Sequence, residues 1–172
     1  MAWICGPWTW AQSLDWKEFN STEFRFSVQF PGTPTIDPAT VTKKSDGSVS
    51  STSAIFEFVT PGELFSMVGV TDYTQTFNDD DELLADQTNF LKAIDGKLVT
   101  SRRAEYISGS TKLPELIFTF EYPKLDFIGR AIVFAQGRRV YMAIFAYKRG
   151  VEYSTAMDRF LDSLELTGSP AS

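Results

Sequence analysis

The chain of 172 residues contains no histidine and a single cysteine, Cys5. Without imidazole, nucleophilic catalysis of the Ser-His-Asp or Cys-His kind is excluded, as is every His-ligated metal site. One thiol excludes a disulfide within the chain and a cysteine-cluster metal centre. No run approaches the roughly 18 consecutive apolar residues of a membrane-spanning helix. Cations are in deficit too: 16 Lys and Arg against 22 Asp and Glu leave a net charge of −6. That balance disfavours nonspecific binding to nucleic acid or to an anionic membrane. The glycines fall singly in turns, so a phosphate-cradling loop is missing and no cofactor is implied. Carboxylate, Lys and Tyr chemistry remain open, as does an oxygen-ligated metal.

What is present is apolar and aromatic. Hydrophobic residues make up 43% and aromatics 15%, with Phe dominant. As one domain, a chain of this length buries about 70% of its unfolded surface. Residues 1–13 carry no charged side chain and look like the end of a secretory signal. Ala11-Gln12-Ser13 places small residues at −3 and −1 of a cut before Leu14. Against this, no Lys or Arg precedes the apolar part, and Gly6-Pro7 interrupts it. Cys5 is not in a lipoprotein context, because Trp3 and Ile4 precede it. With the cut, the protein is expected to be secreted or periplasmic; an ordered or floppy segment there leaves it cytoplasmic. The expected organisation is this segment, a globular domain over 14–166 and a polar tail over 167–172.

The most informative stretch is 127–147, FIGRAIVFAQGRRVYMAIFAY. Two apolar runs meet at Gln136-Gly137, which suits a two-residue hairpin loop flanked by Ala135 and Arg138. In that register Arg130, Ile132 and Phe134 share a face with Arg139, Tyr141, Ala143, Phe145 and Tyr147. Ala131, Val133 and Ala135 lie on the other face with Arg138, Val140, Met142, Ile144 and Ala146. Away from the turn both faces are apolar, whereas a sheet wet on one side alternates. The hairpin is therefore expected mid-sheet, with a layer on each side.

The rest of the chain supplies those layers. Leu14, Trp16 and Phe19 form an apolar lead-in. Phe24, Phe26, Val28 and Phe30 then alternate with Arg25, Ser27 and Gln29, a strand with one buried face that stops at Pro31-Gly32. Residues 31–53 read as an edge hairpin turning at Asp46-Gly47, with Lys43 and Lys44 discouraging edge pairing, or as a disordered loop. Strands at 54–59 and 64–73 flank Thr60-Pro61-Gly62-Glu63, the pattern of a type II turn. Leu83, Leu84, Gln87, Phe90, Leu91 and Ile94 form one helical stripe, with Asn78 or Asp79 to cap its start and Gly96 at its end. Strands at 98–107 and 116–122 precede the hairpin. Tyr153, Ala156, Met157, Phe160, Leu161 and Leu164 mark a second amphipathic helix. The expected fold is α+β, a three-layer α/β/α sandwich with a mainly antiparallel central sheet.

Candidate sites are each weighed against a structural role. Asp79, Asp80, Asp81 and Glu82 lack the ligand alternation of a calcium loop, and acids at a helix start complement the dipole. Arg102-Arg103 and Arg138-Arg139 could grip an anion, but strand neighbours point to opposite faces. Surface ion pairing is the favoured reading. Arg130, on an aromatic face, is expected to pair with a carboxylate such as Asp126 or Glu121. Nothing in the spacing of Glu121, Asp126, Asp158 and Asp162 selects a catalytic pair.

The succession FRFSVQFPGTP, LFSMVGVTDY, the hairpin and a closing FLDSLEL resembles bacterial exported domains of the Mog1/PsbP-like fold. Pro31, Gly32 and Pro34 carry the first match, Arg130, Gly137, Arg139 and Tyr141 the second, and Phe160, Leu161 and Ser163 the last. Leu164 stands where Phe is usual. The similarity covers about residues 15–166. It implies a non-catalytic, protein-binding scaffold and carries over no catalytic or ligand residue. The functional expectation is an exported module that binds or assembles another protein through a sheet edge or helix face. The alternatives are a carrier with an apolar pocket between the sheet and the 83–94 helix, and a histidine-free enzyme using Asp126 and Arg130.

Overall fold

The computed structural model describes residues 14–168; the candidate signal remnant, Cys5 and the last four residues of the polar tail lie outside them. Five strands come first: β1 (Lys17–Ser21), β2 (Phe26–Phe30), β3 (Thr35–Lys43), β4 (Val49–Thr60) and β5 (Leu64–Tyr73). Helix α1 (Asp79–Ile94) follows, then β6 (Lys97–Ser108), β7 (Thr111–Tyr122), β8 (Phe127–Gln136) and β9 (Arg139–Lys148). Helix α2 (Ser154–Asp162) and the two-residue β10 (Glu165–Leu166) close the chain. Seven strands form the central sheet in the order β3-β4-β5-β9-β8-β7-β6, every neighbouring pair antiparallel. The mid-sheet position expected for the 127–147 hairpin is borne out.

Chain order explains the topology. After β5, α1 carries the chain across one face to the far edge, packing on β7 and β8. Four strands then return by tight turns until β9 docks on β5. The turn chemistry decides two of these connections. Pro61 and Gly62 stand at the central positions of the β4–β5 turn, Gly62 at φ +76°, and the Glu63 N–H donates to the Thr60 carbonyl at 3.0 Å. In the β8–β9 hairpin the loop is Gly137-Arg138, one residue later than the sequence reading placed it, because Gln136 pairs with Arg139. Gly137 has φ +64° and so takes the first central position, which a type II′ loop reserves for glycine. The faces are unaffected, since the pairing moves by an even number of residues.

Helix α1 starts where Asn78 Oδ1 accepts from the Asp81 N–H at 3.1 Å. At its end Asp95, not Gly96, takes the left-handed conformation. Gly96 matters for space instead: a Cβ there would lie 2.9 Å from the Ile94 side chain and 3.2 Å from the Glu121 carbonyl. Leu83 is buried at the centre of the α1 contact, with Phe90, Leu91 and Ile94 half-buried around it. Leu84, read as part of the stripe, is exposed. Beneath the helix lie Leu116, Phe118, Phe120, Val133, Val140 and Ile144.

The opposite layer is more than a helix. The strand expected from the Phe26-Val28-Phe30 alternation is present, but it pairs outside the central sheet. It lies in a three-stranded sheet of order β1-β2-β10, laid over the second face together with α2. Arg25 adopts φ +55°, so the strand begins at Phe26. Phe26, Val28 and Phe30 face inward onto Phe56, Tyr141, Phe145 and Phe160. The small sheet is tied on by polar contacts. Tyr141 Oη donates to the Phe24 carbonyl at 2.9 Å, and the Gln29 N–H donates to Ser163 Oγ at 2.9 Å.

Close packing makes one position unforgiving. A Cβ on Gly129 would sit 2.5 Å from the Phe120 ring and 2.9 Å from Ala146 Cβ, both rigidly placed by neighbouring strands. Gly129→Ala is expected to cost about 1–3 kcal/mol through overpacking. A urea midpoint within error of the parent would show that the Phe120 ring yields freely.

Candidate functional site

The two faces of the central sheet are covered unequally. Helix α2 packs on β9, β8 and β2, and the described residues leave much of the β7–β6 side of that face open. Rows of paired residues cross the face: Ala104-Glu115-Phe134-Tyr141, Arg102-Ile117-Ile132-Ala143 and Thr100-Thr119-Arg130-Phe145. The β9 ends of these rows are buried, as are Phe134 and Ile132 on β8, while Arg130 is partly exposed. The β7 and β6 ends floor a trough of about 760 Å³, whose far wall is Leu161, Asp162, Leu164 and Glu165. A recess of about 200 Å³ lined by Val99, Ile128, Tyr147 and Met157 shares Thr119 with it.

One end of the trough is set by aromatic stacking. Tyr106 lies on Phe134 with centroids 3.9 Å apart and planes 4° from parallel, and Phe134 stacks in turn on Tyr141 at 5.2 Å. Tyr106 Oη reaches over to donate to the Leu164 carbonyl at 2.7 Å. Burial pushes its phenol up to about 12. Beside it Glu115 is only 7% exposed. Burial raises its carboxyl above the usual range, and the Arg102 guanidinium partly offsets this. The other trough carboxylates, Glu105, Asp162 and Glu165, are exposed.

The residues singled out in the sequence are mostly spent on ion pairs. Arg130 pairs with Asp158 of α2 at 2.6 Å, the carboxylate partner expected in kind but not in identity. Asp126 and Glu121 go instead to Arg149, at 3.3 and 2.7 Å. The Asp126–Arg130 combination is thus not assembled. Arg139 forks onto Asp72 at 2.5 and 2.7 Å and lies 5.5 Å from the Phe24 ring centroid. Arg138 donates to the Thr74 carbonyl, and Arg103 pairs with Asp80 at 3.0 Å in the first turn of α1. Arg102 and Arg103 split across the sheet as strand parity requires, Arg102 at the trough and Arg103 at α1. Among the described residues no group of three or more Asp, Glu or Cys side chains is placed to hold a metal ion.

On the α1 face the hollow between sheet and helix is a recess of about 200 Å³ lined by Met67, Gly69, Val140, Met142 and Asp86. It falls short of the roughly 300 Å³ at which small-molecule sites begin. Its notable group is Asp86, which nothing in the sequence distinguishes from the other acids of an acidic helix. Burial pushes its carboxyl up to about 7, and the adjacent Glu82 charge adds to the shift. Tyr73 Oη donates to Glu82, and its own phenol is raised by burial. A raised carboxyl holds its proton in the folded state where the unfolded chain has released it. Asp86 therefore subtracts stability as pH climbs from about 4 to about 7. Asp86→Asn is expected to match the parent near pH 4 and exceed it by about 1–3 kcal/mol at pH 8. Urea unfolding at both pH values checks this; a gap that does not widen with pH refutes it.

The architecture, an antiparallel central sheet with α1 on one face and α2 with a small sheet on the other, is the PsbP-like form of the α/β/α sandwich. The solution structure of cyanobacterial PsbP (CyanoP) from Synechocystis superposes with a TM-score of 0.56 at 8% identity. The alignment covers 94% of this chain and 98% of that one. No protein-family model and no curated protein matches the sequence. No helix among the described residues is long and apolar enough to cross a membrane.

Proposed function

We propose that the chain is a non-catalytic, exported binding module that docks another protein in the trough between α2 and the β6–β7 side of the sheet. The carrying observation is the trough itself. It is open and mixed in charge, and its carboxylates are dispersed around it, Glu115 alone being buried. A surface of that kind fits a polypeptide better than a small substrate, which favours an enclosed, mainly apolar pocket. The PsbP-like fold supports the reading as a fold, and the signal-like pattern of residues 1–13 supports export.

A photocrosslinking side chain at Asp162, in the trough wall, is compared with one at Lys92 on α1, both in the native host. The expected result is a partner, identified by mass spectrometry, recovered from position 162 and not from 92. Equal recovery from both positions, or none above background, removes the reading. Intact mass of the same preparation checks export: loss of residues 1–13 is expected.

A further inference from the structure

The two edges of the central sheet are built differently. Edge strand β3 contains Pro38, which lacks a backbone donor, and its register with β4 breaks twice, between Asp37 and Thr40 and between Thr42 and Lys43. Lys43 is its last residue and Lys44 follows. Proline, bulges and lysines are the devices that keep a strand edge from accepting another strand. Edge strand β6 runs twelve residues, Lys97–Ser108, with no proline and one register break, between Leu98 and Thr100. Among the described residues no strand pairs on its outer side, so its outward N–H and C=O groups form a ready template. This open edge is also the rim of the trough.

We infer that the partner binds as an extended segment pairing with β6, its alternate side chains lying in the trough, and that those side chains are basic. Strand parity carries the first part. A strand added beside β6 continues the rows that begin at Thr100, Arg102 and Ala104, so every second side chain falls on the trough face. Charge carries the second. Of the charged residues around the trough, Glu105 is paired with Lys112 and Arg130 with Asp158, which leaves Glu115, Asp162 and Glu165 against Arg102. A cationic strand complements that surface. A second copy of this chain, at net charge −6, does not.

The inference rests on the binding reading above and is tested separately from it. The probe is a fluorescent twelve-residue peptide alternating lysine and threonine, added to the full chain. Its expected signature is slowed amide exchange across β6 and not across β3, with the glutamate-threonine counterpart binding at least tenfold more weakly. Methylating alternate backbone nitrogens of the probe, in the register that faces β6, is expected to weaken binding at least tenfold at unchanged charge. The double variant Asp162→Lys, Glu165→Lys lies on exposed positions, and is expected to weaken it at least fivefold. Absence of binding at millimolar probe overturns the inference, as does equal binding of both methylation registers. Concentration-dependent β6 protection without probe, with a dimer on sedimentation, would assign the edge to a second copy and overturn it equally. A partner crosslinked at position 162 while β6 amides stay unprotected would overturn strand addition alone and leave the binding module standing.

Discussion

Phe134→Ala is expected to lower the unfolding free energy by about 3–5 kcal/mol, a large share of the roughly 5–15 kcal/mol that holds a domain of this size together. Phe134 is fully buried and is the middle ring of the Tyr106-Phe134-Tyr141 stack. Each outer ring sends its hydroxyl to a backbone carbonyl of the second layer, Tyr141 to Phe24 and Tyr106 to Leu164. Truncating the middle ring removes its own buried area, leaves a cavity and frees both neighbours. Urea unfolding measures the total. Hydrogen exchange separates the cause: amides of β6 and β10 are expected to open ahead of those in β8 and β9. Tyr106→Phe is the control, since it removes one hydroxyl and is expected to cost about 1 kcal/mol. A Phe134→Ala loss below about 2 kcal/mol would mean that the stack collapses onto the gap and fixes nothing.

Phe160→Ala is expected to cost a similar amount, about 3–5 kcal/mol, but with a different distribution. Phe160 is the fully buried contact of α2, with ring centroids 5.3 Å from Phe30 and 5.8 Å from Phe145. It joins three elements that are far apart in sequence: β2, β9 and α2. At roughly 2–4 °C per kcal/mol for a chain of this length, the melting temperature should fall by about 6–20 °C. Exchange should quicken in α2, β2 and β10, while β5 and β9 keep their protection except at global unfolding. Uniform loss across the sheet would show that the small layer and the central sheet are one cooperative unit, contrary to the expectation. The variant also bears on binding, because α2 supplies the trough wall at Leu161 and Asp162.

The candidate site was less legible than the frame around it. Arg130 was recognisable as an arginine among aromatic residues, and pairing with a carboxylate followed from the cost of leaving it unpaired. Its partner was not, because Asp158 lies on α2, 28 residues away, and only docking of that helix chooses it over Asp126 or Glu121. Asp86 carried no sequence signal at all. Its environment comes from Met67, Gly69 and Met142, which reach it only when α1 lies across the sheet. The trough is a difference between two areas, the wide sheet face and the nine-residue α2 that covers part of it, and local patterns do not encode differences of that kind.

By itself the sequence determined the local geometry. Period-two alternation set which side chains of β8 and β9 share a face, and the structure keeps those faces although the loop moved one residue to Gly137-Arg138. Proline and glycine placed the β4–β5 turn, and three- and four-residue spacing located both helices, because each of these signals depends on one residue's backbone limits or one element's repeat. Only the tertiary structure decided where β2 goes. Its one buried face suits the central sheet or a separate layer equally well, and it joined β1 and β10 because Phe26 and Phe30 have an aromatic surface to cover there. It also decided that β3 and β6 are the edges, that β6 is the bare one, and that Glu115, unremarkable in sequence, is buried at the trough floor. Parity along a strand is a local property; which strand lies beside it, and what is left uncovered, is settled by long-range packing.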